Sequence, residues 1–189
     1  MAGAVYLVRH GQTASSARKA YSGRSDVALT DLGRRQARDA AARLADAGID
    51  AVFSSPLSRA RDTARAIAEA SGAPLTVDER LTEVDYHAFE GLDRAEARAK
   101  FGQAFEDWRA DPFGAPVDGM EPLGDALQRA RAATADVLAA ATRPVIVGHQ
   151  GILRIVLIAL GELAPGDYFT RHLREADPIA VQAPRIAQP

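Results

Sequence analysis

The chain has 189 residues, 47% of them apolar or aromatic, with 23 basic against 25 acidic side chains and a net charge of −2. Length and composition describe one folded domain with a core of its own, not a disordered segment. The absence of cysteine excludes disulfides, zinc–thiolate sites, iron–sulfur clusters and thiol nucleophiles, and the near-neutral charge argues against a nucleic-acid footprint.

The first apolar run, Ala4 to Val8, is short, β-rich and uninterrupted, which predicts a strand buried on both faces. It ends at Arg9-His10-Gly11 and is too short for a signal-peptide core. Thr30 predicts the cap of a helix running through Gln36 and Leu44 to a stop at Gly48. Asp50 to Ser54 reads as a second strand, Leu57 to Ala70 as a helix stopped by Gly72, and Pro74 to Val77 as a third strand. From Leu92 to Ala141 the texture is helical only, which predicts an insertion between strands three and four. Pro144 to Val147 returns as a strand, followed by His149-Gln150-Gly151 and an apolar helix from Ile152 to Leu160. Pro178 to Val181 reads as an edge strand, and residues 182–189 as a loose tail.

The grammar is that of a single three-layer α/β/α domain over 1–181, with a mostly parallel sheet. No apolar run approaches the ~20 residues that span a bilayer, so the expected setting is cytoplasmic, with no membrane partner. The sequence is silent on assembly, and a homodimer stays open.

In parallel α/β sheets, ligands bind at the carboxyl ends of the strands. Arg9 and His10 follow strand one, Arg59 follows strand two, Glu83 follows strand three and His149 follows strand four, so all five are expected at one edge. Two arginines and two histidines facing one point suit a dianionic phosphoryl group, because the guanidinium fork matches phosphate oxygens. A neutral imidazole can accept a phosphoryl group covalently, with a carboxylic acid to protonate the departing alkoxide and then take a proton from water. This scheme needs no metal and no cofactor. Glu83 is the expected acid, with Glu90 and Asp85 as its rivals.

These residues fall into ordered segments that resemble the histidine phosphatase superfamily, the group that includes cofactor-dependent phosphoglycerate mutases. Arg9-His10-Gly11-Gln12-Thr13 resembles its RHGxT signature, and Leu29-Thr30 with Gly33 and Gln36-Ala37 its LTxxGxxQA segment. Ser55-Pro56-Leu57 with Arg59-Ala60 and Thr63-Ala64 is similar to SPLxRAxxTA. Leu81-Thr82-Glu83 with Glu90-Gly91, and Val147-Gly148-His149 with Gly151, resemble the segments carrying the acid and the second histidine. The resemblance implies a phosphohistidine on His10, phosphate contacts from Arg9, Arg59 and His149, and Glu83 as acid and base. It also places Thr13 and Ser16 near the substrate. Ser16 stands where many members carry asparagine, Ala20 where they carry arginine, and His87 where they carry glycine. Tyr21-Ser22-Gly23 and His149-Gln150-Gly151 are most similar to the α-ribazole phosphatases of cobalamin assembly.

The expected partner is therefore a small phosphorylated metabolite, with α-ribazole 5′-phosphate as first choice. A phosphoglycerate mutase-like transferase or a broad sugar phosphatase is the alternative, and a non-catalytic phospho-ligand binder the reading from another class. The short interval between Glu83 and His149 favours hydrolysis over mutase chemistry. His87 and His172 are expected outside the ligand set, and Trp108 with its phenylalanines in the core of the insertion. The sequence has no GxSxG elbow, Walker loop or HExxH motif.

Overall fold

A computed structural model describes residues 4–182. The sheet has five strands, β1 (Ala4–Arg9), β2 (Ala51–Ser54), β3 (Leu75–Val77), β4 (Pro144–Gly148) and β5 (Ile179–Gln182), in the order β3-β2-β4-β1-β5. All neighbours pair in parallel except β5, which runs antiparallel to β1 with Ala4 opposite Gln182. The expected tail therefore starts too early, since Gln182 belongs to β5; residues 183–189 lie outside the described residues.

Alternation along the strands divides the core in two. Val5 and Leu7 of β1 and Ile146 of β4 face one cluster, while Val8, Val145 and Val147 face the other. The second cluster is closed by α2 (Asp31–Leu44) and α3 (Ser58–Ser71). The first is closed by α6 (Leu123–Ala140) and α7 (Gln150–Ala159). Completely buried β4 reads as a continuous apolar run because both of its faces are covered. The β2 and α3 boundaries shift from expectation by a residue, as fraying ends do.

The expected insertion over 92–141 divides into two parts. Helix α6 packs on α7 and is the crossover helix that returns the chain to β4, so it belongs to the layer itself. Only α4 (Arg94–Phe101), α5 (Gln103–Ala110) and the loop to Pro122 stand apart. They have no separate core: Trp108 of α5 is buried among Tyr21, Tyr86, Phe89, Phe105 and Phe169, and this aromatic group is continuous with the first cluster. The four-residue helix α1 (Ala14–Ala17) had no sequence signal of its own, being set by Thr13 and Ser16 in a capping box.

Candidate active site

The carboxyl ends of the parallel strands meet at a cavity of about 930 Å³ whose wall includes Arg9, His10, Thr13, Ser16, Tyr21, Ser22, Glu83 and Gln150. Arg59 and His149 lie immediately beneath it, both 1% exposed. The structure thus gathers residues from five separate segments around one point, and Glu83 rather than Glu90 reaches the cavity. Glu90 accepts from Gly23 N at 2.8 Å and holds the 22–23 loop.

His10 continues β1, with its backbone N–H bonded to Gly148 O at 2.9 Å. Its Nδ1 lies 2.7 Å from Gly11 O. A carbonyl only accepts, so Nδ1 carries the proton and Nε2 of the neutral ring holds the lone pair. Burial, and then the charges of Arg9 and Arg59, hold its pKa well below the ordinary imidazole value. The close backbone packing behind it requires glycine: a Cβ on Gly11 would strike Gly33 O, and one on Gly33 would strike Gln12 O.

His149 follows β4 as the N-cap residue of α7, and its ring centroid is 5.1 Å from that of His10. Arg59 Nε donates to its Nδ1 at 3.1 Å, so Nε2 is protonated and donates to Ser55 Oγ at 2.8 Å. Burial, and then Arg59, keep this imidazole neutral as well. Arg59 directs three of its four remaining N–H donors to the carbonyls of Ser22, Gly23 and Ser25. Arg9 donates to Gln150 Oε1 and Leu173 O and lies 3.7 Å from Glu175, while its buried Nε has no hydrogen-bond partner among the described residues.

Glu83 is held at the N-terminus of α7. Its carboxylate accepts from Gly151 N at 2.9 Å, Ile152 N at 2.7 Å and Val84 N at 2.8 Å. The helix dipole and these amides favour the anion, yet burial outweighs them and raises its pKa above the ordinary carboxyl range. A side chain on Gly151 would fall among Glu83 and the hydroxyls of Tyr86 and Tyr168, which explains the glycine one residue into the helix.

Thr13 and Ser16 line the cavity while their hydroxyls serve the α1 cap. Gly23 contributes backbone only: a Cβ would meet Val84 O at 2.7 Å. Ser22 Oγ is buried and without a partner among the described residues. Ala20 and exposed His172 also line the cavity, whereas His87, at φ +23°, does not.

Sequence reasoning missed three contributors. Ser55 Oγ accepts from His149 Nε2 and so holds the ring in the tautomer that Arg59 sets. Arg129, on α6, donates to the carbonyls of Arg80, Thr82 and Glu83 and is itself held by Glu121, so it pins the segment that carries the acid. Tyr86 closes the cavity beside Glu83. Only Tyr86, three positions after Glu83, left a local trace. Arg129 looks like any arginine on a mixed-charge helix.

The parallel sheet and its two-histidine, two-arginine edge define a histidine phosphatase fold. The family model of the histidine phosphatase superfamily (branch 1) matches residues 5–183, and the chain belongs to that superfamily. It is 34% identical over 166 residues to a probable 2-carboxy-D-arabinitol-1-phosphatase of Arabidopsis thaliana, covering 87% of this chain and 34% of that one. The chain thus spans about a third of the length of that plant relative. The structure of a mycobacterial glucosyl-3-phosphoglycerate phosphatase complexed with VO3 matches with a TM-score of 0.85 and 30% identity, over 95% of this chain and 90% of that one. An α-ribazole phosphatase from Shigella flexneri matches with a TM-score of 0.82 at 23% identity, over 96% and 91% of the two chains, and shares the fold.

Proposed function

We propose that the protein hydrolyses a small phosphomonoester through a covalent phosphohistidine at His10 Nε2. The observation that carries this reading is the His10 ring: it is buried and neutral, with Nδ1–H committed to Gly11 O and Nε2 left as the nucleophilic lone pair on the cavity wall. In the first step the Nε2 lone pair bonds to phosphorus as the ester P–O bond breaks, and the leaving alkoxide takes a proton from Glu83. In the second, Glu83 takes a proton from water, whose oxygen bonds to phosphorus while the N–P electrons return to Nε2. The positive charges of Arg9 and Arg59 offset the charge that builds on the phosphoryl oxygens.

The leaving group is a metabolite rather than a macromolecule, since a cavity of about 930 Å³ is of small-ligand size. α-Ribazole 5′-phosphate, sugar phosphates and phosphoglycerate relatives form the panel to be tried. Release of phosphate is to be measured in EDTA, with His10→Ala alongside and enzyme quenched in alkaline detergent examined for an alkali-stable, acid-labile phosphohistidine. Chelator-resistant release with a trapped phosphoenzyme, both lost in His10→Ala, is the expected result. Full activity in His10→Ala, or loss in EDTA, would overturn the reading; isomerised product in place of free phosphate would reassign the same intermediate to a mutase.

A further inference from the structure

The cavity extends away from His10 toward the insertion, and there its charge is uncompensated. Elsewhere on its wall Arg43 meets Asp177 at 2.7 Å and Arg9 lies beside Glu175, while Lys19 and Arg174 have no carboxylate partner among the described residues. On the insertion side Arg94, Arg109 and Arg154 line the wall, and none of the three has a carboxylate partner among the described residues. The carboxylate nearest to hand, Glu106, is taken by Arg98. Such an excess in a chain of net charge −2 is a local feature, not a reflection of composition.

Two of the three arginines are placed against their local preference, and the third, Arg109 in the last turn of α5, is held in place by an aromatic ring. Arg94 is the first residue of α4, where the helix dipole disfavours a cation. Arg154 is the sole charged side chain of α7, a helix otherwise almost wholly apolar and buried. Arg109 lies flat on the Phe169 ring, its guanidinium carbon 3.5 Å from the ring centroid, and its buried Nε has no partner among the described residues. Stacking fixes the plane of the fork and leaves its edge donors to a ligand. Burial and the charges of Arg94 and Arg154 both act against the Arg109 cation, so the cluster costs stability unless an anion joins it.

We infer that Arg94, Arg109 and Arg154 form a second anion subsite, and that the ester this protein handles carries a second acidic group, carboxylate or phosphate, at the end remote from the phosphoryl being transferred. This rests on the phosphomonoesterase reading for the first subsite and goes beyond it by naming the substrate class: doubly acidic phosphoesters are favoured over esters of neutral alcohols or of a neutral nucleoside such as α-ribazole.

The test separates binding from turnover. Calorimetry would compare ω-phosphonoalkanoates of increasing chain length, which are not hydrolysed, with alkylphosphonates of the same lengths; α,ω-bisphosphonates form a third arm. At its best length the doubly acidic ligand is expected to bind roughly tenfold tighter or more than its singly acidic match. That preference should fall to about twofold or less in Arg109→Gln/Arg154→Gln, and return in part with Arg109→Lys. The more favoured of the carboxylate and bisphosphonate arms identifies the second group. Equal affinities, a preference untouched by the double substitution, or no phosphonate binding at all would overturn the inference. Discrimination without any turnover would instead retract only the hydrolytic reading, and turnover without discrimination only this one.

Discussion

Arg59 Nε donates to His149 Nδ1 at 3.1 Å, and through that single bond an arginine on α3 sets the tautomer of a histidine 90 positions later in the chain. The same guanidinium holds the carbonyls of Ser22, Gly23 and Ser25, so one side chain joins three segments of the site. Arg59→Lys keeps the charge but cannot span all these acceptors from one point donor. We expect kcat/KM to fall about a hundredfold while the fold survives. Steady-state kinetics beside a urea melt would check this.

Both buried histidines are held neutral, with folded pKa values well below the ordinary imidazole value of about 6.5. Above that pH neither state is protonated and the two groups leave stability unchanged. Below it the unfolded chain takes up protons that the native protein refuses, so stability falls as pH drops from about 6.5 toward the folded values. Urea midpoints measured from pH 7.5 to 5 should show a shallower acid decline in His149→Gln than in the parent. The difference in slope should approach ~1.4 kcal/mol per pH unit for the one group removed. By the same neutrality, the acid limb of kcat/KM should lie below pH 6.5.

Glu83 makes three backbone hydrogen bonds, of which Glu83→Gln can keep the two to one oxygen while its amide faces the third N–H. The variant is expected to fold and to lose its proton donor. Turnover of alkyl phosphates should drop about 10²–10⁴-fold, and that of p-nitrophenyl phosphate far less in the first step, because nitrophenolate leaves unprotonated. An equal loss on both substrates in a phosphoenzyme burst would point to a structural role for Glu83.

Arg129 reaches the carbonyls of residues 80, 82 and 83 from α6 and is anchored by Glu121. Arg129→Met keeps much of the packing while freeing the segment that carries Glu83. The expected result is a drop in kcat of about tenfold or more on alkyl esters, with KM little changed and a flattened basic limb of the pH profile. A change in Tm alone would assign Arg129 to stability and not to positioning.

Strand and helix periodicities were legible because β1, β4 and α7 are buried on most sides, leaving continuous apolar runs in the chain. The position of Arg9, His10, Arg59, Glu83 and His149 at strand ends was legible too, since a parallel α/β sheet brings those ends to one edge whatever the detail. Element order alone therefore brings these residues to one edge of the sheet. Which residue sets the tautomer of His149 and which remote arginine pins the segment carrying Glu83 depend on contacts across tens of residues. Sequence cannot carry that information, because a hydrogen bond such as Arg129 to Thr82 O leaves no periodicity at either end. The Arg94, Arg109 and Arg154 cluster was invisible for the same reason: three arginines on three helices look solvated one by one, and only folding places them on one wall without carboxylates to neutralise them.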